Sequence, residues 1–255
     1  MRNSPQKITQ SVDLFYRGVS TRKVQEHLAM FYPHNASNVS VYKWVLKYAK
    51  MISNFTSKLK INIGSEVQVD EVEYHRRKSH KAKKGIEVNW FIDSVCPDTK
   101  YMVASNYCKA RKQKDVKAII KVIKEKTNTK IEVITTDGWL AYEKAVKNVF
   151  GYDNKKGKYN IVHNVVTARK GMGFNHPIER LHNNLRARTK VMRGFHGSIA
   201  SASVILKGYE VFYNFITKHQ AIDKCPYELA IPELKDKLNV NNKWLALIEL
   251  ANEKH

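Results

Sequence analysis

Cysteine is scarce and scattered: Cys96, Cys108 and Cys225 are an odd number, far apart, with no Cys-x-x-Cys pair. That argues against a disulfide framework and a zinc knuckle, and leaves three reduced structural thiols as the expectation. No apolar run is long enough to span a bilayer, and Met1 to Gln10 lacks the apolar stretch of a secretory signal, so a cytoplasmic location is expected. Acidic residues are the other shortage. Against 45 Lys and Arg stand 23 Asp and Glu, a formal net charge of +22. Such an excess calls for a polyanionic partner. The basic residues are spread through strand and helix patterns, not gathered on one amphipathic helix, which favours nucleic acid over an anionic membrane. Charge alone fits a ribosomal protein or a repressor equally well.

What is present is 255 residues, 43% apolar, enough for one sizeable core and a small extra domain. Lys7 to Phe55 shows three helical segments. Ser20 is placed to cap a helix over Thr21 to Leu28, and a third helix from Asn38 or Ser40 carries Val41, Val45 and Tyr48 on one face and Lys43 and Lys47 on another. That outline is a helix-turn-helix, assigned to residues 1–55. A polar stretch, 56–64, reads as a linker. After it the period changes: Glu66 to Tyr74, Ile86 to Val95 and Lys100 to Tyr107 read as an antiparallel meander, followed by a helix over Asp115 to Lys126, a strand over Ile131 to Thr136 and a helix over Trp139 to Val149. A fifth strand is expected at Tyr159 to Val162, then long helices at Asn175 to Arg193 and Ser198 to His219. The order is that of an α/β, ribonuclease H-like domain, a mixed sheet with flanking helices over 65–220, with a helical tail over 221–255.

Phosphodiester chemistry with two metal ions needs carboxylates from different elements at one point, because Mg²⁺ and Mn²⁺ prefer oxygen ligands. Asp70 lies inside the first strand, where a carboxylate is costly unless paired or metal-bound. Asp137 ends the fourth strand at a Thr-Asp-Gly turn, where α/β sheets present functional groups. Either acid alone fits a turn cap or a salt bridge. Helix arithmetic puts Glu179, Asn183, Arg186, Lys190 and Arg193 on one arc and Ile178, Leu181, Leu185 and Met192 on another. An acid near the positive end of the helix is thus followed by bases in line to receive DNA phosphates, where the plain alternative is a solvated charged face. Glu71, Glu73, Asp93 and Asp98 compete for the metal role, with Asp93 the nearest rival. The run from His75 to Lys84, with Arg76, Arg77 and Lys78, is expected in the first hairpin loop, gripping phosphates with Lys109, Arg111, Lys112 and Lys114 along one DNA channel.

These residues resemble a known family. The helix-turn-helix from Tyr16-Arg17-Gly18 to Val41-Tyr42-Lys43-Trp44, Val69-Asp70-Glu71, Thr136-Asp137-Gly138, and Asn175-His176-Pro177-Ile178-Glu179-Arg180-Leu181-His182 through Arg188-Thr189-Lys190-Val191-Met192-Arg193-Gly194-Phe195 are together similar to DDE transposases of prokaryotic insertion sequences. The nearest resemblance is to the insertion-sequence-six family, within the retroviral-integrase superfamily. It implies that Asp70, Asp137 and Glu179 are catalytic and bind two Mg²⁺ or Mn²⁺ ions per active site, that Arg186 contacts DNA, and that the partners are terminal inverted repeats, target DNA and a second copy of the chain. It also implies a prokaryotic, nucleoid-associated location. The interval from Asp137 to Glu179 is longer than is usual in that family, which an insertion around Asp153-Asn154-Lys155-Lys156-Gly157-Lys158 explains. The competing functions are a catalytically inactive, transposase-derived DNA-binding regulator and a ribonuclease acting on RNA–DNA hybrids.

Overall fold

A serine caps each N-terminal helix. α1 (Pro5–Tyr16), α2 (Thr21–Phe31) and α3 (Asn38–Thr56) begin behind Ser4, Ser20 and Ser37, and each side chain accepts the backbone N–H three residues on, satisfying a donor the helix leaves unpaired. The computed structural model describes residues 3–32, 36–77, 85–166, 176–190, 192, 195 and 197–253, and of Arg77 and Ile86 the backbone alone. Val24 and Leu28 of α2 meet Ala36 and Val41 in a small apolar cluster. Further along α3, Val45, Ala49 and Ile52 enter the main core.

β1 (Glu66–Arg77), β2 (Ile86–Val95) and β3 (Met102–Cys108) form the meander. α4 (Gln113–Lys126) leads to β4 (Val133–Thr136), parallel to β1, and α5 (Leu140–Phe150) leads to β7 (Val162–Val165), parallel to β4. The spatial order β3-β2-β1-β4-β7 is the ribonuclease H-like arrangement. Between α5 and β7, β5 (Tyr152–Asp153) and β6 (Lys158–Tyr159) make a small separate hairpin with Gly157 at φ +62, a backbone setting that favours glycine. The hairpin takes up Tyr159, so the last strand of the main sheet starts at Val162 and not at Tyr159.

Alternation sends Gln68, Asp70, Val72 and Tyr74 of β1 to one face of the sheet, and Val67, Val69 and Glu71 to the other. Contacts identify the covering helices. His182 and Thr189 of α6 (His176–Lys190) reach Asp70 and Tyr74, whereas Tyr142 of α5 reaches Glu71. α7 (Ile199–Val211) shares the α6 face, since its Glu210 accepts a bond from Ser105, which lies opposite Asp93 in the sheet. The helix expected to continue to His219 ends at Val211 and passes through a π-helical turn, Phe212–Ile216. That turn sends Phe212 to Tyr16 and Phe215 to Tyr101 and Tyr227.

Stretch 56–64 is anchored: Ile61 is buried, Ile61 N–H donates to Lys126 O at 3.0 Å, and Asn62 N–H donates to Ala230 O at 2.8 Å. After α8 (Tyr227–Ala230), α9 (Lys243–Glu253) packs on α1 and α3, with Trp244 Nε1 donating to Asp13 Oδ1 at 3.1 Å. N-terminal helices, sheet and tail therefore share one apolar core. No helix of the described residues is long and apolar enough to cross a membrane.

Candidate active site

β1 and β4 run parallel with Gln68 beside Thr135, and two further steps in that register bring Asp137 alongside Asp70. Here β4 has ended, so the flank of β1 is open. Although alternation sends Asp70 and Glu71 to opposite faces of the strand, a carboxylate oxygen of each comes near Asp137. Oxygens of Asp70, Glu71 and Asp137 lie within 4.8 Å of one another.

The three acids are not equivalent. The Glu71 side chain is 3% exposed, with Oε1 2.6 Å from the Arg111 guanidinium and Oε2 accepting from the Tyr142 phenol. Arg111 stands 4.0 Å from the ring centroid of Trp139 and 5.2 Å from that of Trp90, and 3.8 Å from Asp137 Oδ2. Both oxygens of Glu71 are committed. Asp137 Oδ1 accepts the Trp139 N–H at 2.9 Å, so the turn-capping role holds for one oxygen while the other is directed to the cluster. Burial pushes the Asp70 carboxyl up to about 6, against the opposing charge of His182. Burial likewise raises Glu71 to about 7, opposed by the Tyr142 hydrogen bond and reinforced by Asp137. Partly dehydrated, mutually repelling carboxylate oxygens suit a hard divalent cation, which would relieve both costs. Asp70 and Asp137 have oxygens to offer it.

Asp93, the nearest rival, is engaged elsewhere. It lies opposite Asp70 in the β1–β2 register and is fully buried, with Oδ1 2.7 Å from His182 Nε2 and Oδ2 without a hydrogen-bond partner. The other ring nitrogen, Nδ1, is 3.7 Å from Asp70 Oδ2. Burial acts to lower the His182 pKa, but the charge of Asp93, its hydrogen bond and the charge of Asp70 outweigh it and the value rises. Glu179 lies on α6 one turn before His182, half exposed, 3.9 Å from His176 Nδ1 and outside the three-acid group. Residues three apart on a helix are neighbours, so the carboxylate belongs to the stretch of α6 that already touches Asp70.

Residues 98–220 match the DDE domain of IS240-type transposases. Over that stretch the chain is similar to a DDE transposase domain of the insertion-sequence kind. Asp137 and Glu179 fall inside the matched stretch and Asp70 precedes it. No curated protein matches the chain. Solved structures that align include the Mos1 strand transfer complex, 8% identical over 82% of this chain and 78% of that one, with a TM-score of 0.26. A pre-cleavage Mos1 transpososome aligns at 8% identity over 82% and 79%, TM-score 0.24. The Mos1 transposase paired-end complex with the left transposon end aligns at 9% over 84% and 78%, TM-score 0.23.

Around the DDE domain the basic residues divide into free and engaged. Lys43 and Lys47 are exposed on α3, and Arg186 and Lys190 on α6 beyond Glu179. Arg76 sits inside β1, not in a hairpin loop, with its guanidinium 2.6 Å from Glu87 and donating to Gly197 O at 2.7 Å. Its charge is satisfied within the fold. Arg111 is likewise a partner of Glu71, not a member of a solvated basic loop. Lys78 and Arg193 lie outside the described residues, and of Arg77 only the backbone is described. Sequence reasoning missed His182, Tyr142 and the Glu71–Arg111 pair. His182 had a signal, a polar residue one turn after Ile178 on the packing face of the helix; Arg111 and Tyr142 had none, since both reach Glu71 through tertiary folding.

Proposed function

We propose that the chain is a transposase that binds the ends of a mobile DNA element and catalyses metal-dependent strand cleavage and strand transfer. One observation supports this most: carboxylate oxygens of Asp70 and Asp137 converge, and α6 touches Asp70 through His182, one turn from Glu179. Asp70, Asp137 and Glu179 would hold the ions, while Glu71 stays bound to Arg111. Two divalent ions, when bound, promote attack by water or a 3′-hydroxyl and neutralise the leaving 3′-oxygen. Asp93 and His182 hold Asp70 in place from the α6 side. Arg111, wedged between Trp90 and Trp139, holds Glu71 and screens Asp137. Residues 1–55, with Lys43 and Lys47 outward, serve as the end-binding domain, the 65–220 domain carries the chemistry, and Arg186 and Lys190 receive phosphates. Two element ends must meet, so the active species is at least a dimer.

Asp137→Asn is expected to abolish nicking and strand transfer on end DNA with Mg²⁺ or Mn²⁺ while leaving end binding intact; unchanged strand transfer refutes the assignment. The position of Glu179 outside the three-acid group favours a second reading, a DNA-binding regulator without catalysis. Specific end binding by the unaltered protein with no nicking selects that reading.

A further inference from the structure

The β5–β6 hairpin takes no part in the acid cluster. β7 begins at Val162 beside Val133, the first residue of β4, whereas Asp137 follows the last. The hairpin leads into β7 and so lies at the far end of β4 from the acids. Its shape is held from several sides. Asp153 Oδ1 accepts the N–H groups of Lys155 and Lys156 at 2.9 and 3.1 Å, Tyr152 and Tyr159 meet edge to face at 5.1 Å, and Asn160 Nδ2 donates to Phe150 O at 3.1 Å. What the hairpin presents is charge: Lys155, Lys156 and Lys158 are exposed around Gly157. Lys156 and Lys158 share the wall of a recess of about 730 Å³ with Lys130.

A second row of lysines joins that end of the sheet to the acid cluster. α4 begins two residues after Arg111, which pairs with Glu71 and comes within 3.8 Å of Asp137 Oδ2. The helix runs for 14 residues, about 20 Å. Its buried face carries Val116, Ile119, Ile120 and Ile123. At about 100° per residue, Lys117, Lys121 and Lys124 fall within an arc of roughly 60° beside that face, and all three are exposed. The last of them reaches the base of the hairpin. Lys124 Nζ donates to Val149 O at 2.8 Å and lies 5.5 Å from the ring centroid of Phe150, whose carbonyl is the acceptor of Asn160. Acids leave the row largely uncancelled. Glu125 is 3.5 Å from Lys121 and Asp153 is 3.7 Å from Lys156, but those lysine side chains are 65% and 68% exposed, and ion pairs in water are weak and screened. The other acid on the recess wall is Glu132.

A solvated face is the ordinary meaning of one lysine row. Two rows on different elements, meeting at Phe150 and leading away from the acid cluster, make a track as long as about six nucleotide steps. We propose that this track, α4 with the β5–β6 hairpin, holds the backbone of a DNA duplex without reading its sequence, and that the duplex is the second one, into which a cut end is joined. Lysine offers a point charge and not the planar fork of arginine, and phosphate contacts carry no sequence information. A track made of lysine therefore suits a duplex of any sequence. The second-duplex occupant rests on the transposase reading; the DNA track does not.

The test uses the full chain and a random-sequence duplex, in chelator so that no strand is cut, with affinity followed from low to high salt. Lys155→Gln/Lys156→Gln/Lys158→Gln is expected to bind about tenfold more weakly, with a plot of log affinity against log salt shallower by about three. Lys117→Gln/Lys121→Gln, on a different element, should make that plot shallower by about two. Both variants change exposed side chains, so their unfolding temperatures should match the parent's; if the hairpin variant does not fold, the α4 variant decides. Affinity and slope unchanged overturn the track. In strand transfer of a pre-cut element end into the random duplex with Mn²⁺, the hairpin variant should be about tenfold slower and recover as that duplex is raised in concentration, while nicking of the element end keeps its rate. Nicking lost in step with strand transfer, at every concentration of the second duplex, overturns that occupant and leaves the track. A parent protein that never nicks, alongside the expected losses of random-duplex binding in the variants, tells against the transposase reading alone.

Discussion

At Asp70 and Glu71 the fold opposes ionisation. Unfolded carboxylates lose their protons near pH 4, whereas burial holds Asp70 up to about 6 and Glu71 up to about 7. Between those values the folded state binds more protons than the unfolded one, so metal-free stability falls as pH rises from about 4 to about 7 through these two groups. Asp70→Asn removes that share. In the presence of a chelator at pH 8 the variant is expected to be more stable than the unaltered protein, by at most about 3 kcal/mol for a shift of roughly two pKa units, with the difference gone near pH 4. Added Mn²⁺ should stabilise the unaltered protein at pH 8 and leave Asp70→Asn unmoved. Thermal unfolding with and without chelator checks both, and a variant less stable than the parent at pH 8 contradicts the reading. The chemical identity of the candidates was legible in the sequence at this scale, because a carboxylate inside an apolar strand and another at a strand end are conspicuous. Their partners were not, since nothing local links Glu71 to Arg111 or Asp93 to His182.

Elements were legible where one periodicity runs long. Ser20 caps α2 as the sequence predicts, β1, β2, α4 and β4 lie close to their expected spans, and the polar stretch 153–158 forms a surface hairpin. Boundaries failed where tertiary pairing overrode local character. His75 to Arg77 read as loop by composition but extend β1, because Arg76 and Arg77 pair with Glu87 and Ile86 of β2. The long second helix after Glu179 breaks into a π-helical turn, for a reason its own sequence does not display. Gly208 shows how element packing depends on one position. A Cβ there would lie 1.9 Å from Tyr16 Oη and 2.7 Å from the Ala49 Cβ, so glycine lets α7 approach α1 and α3. Gly208→Ala is expected to cost about 1–3 kcal/mol by forcing those helices apart, measured by chemical denaturation. A cost below about 0.5 kcal/mol contradicts the close approach.

Across the whole molecule, the N-terminal helices, sheet and tail enclose one continuous core, and in a chain of net charge +22 three of the 23 acids meet beside the end of β4. In the function proposed above, charge excess and acid cluster are two sides of one arrangement, a surface for a polyanion and a point for a dication. The division of labour among the acids is the central claim. Crystals grown with Mn²⁺, measured at the manganese absorption edge, test it most directly. Manganese is expected between Asp70 and Asp137 with a Glu179 oxygen ligating it, and Glu71 still on Arg111. Manganese ligated by Glu71 instead, with Arg111 displaced and Glu179 turned to solvent, would contradict it.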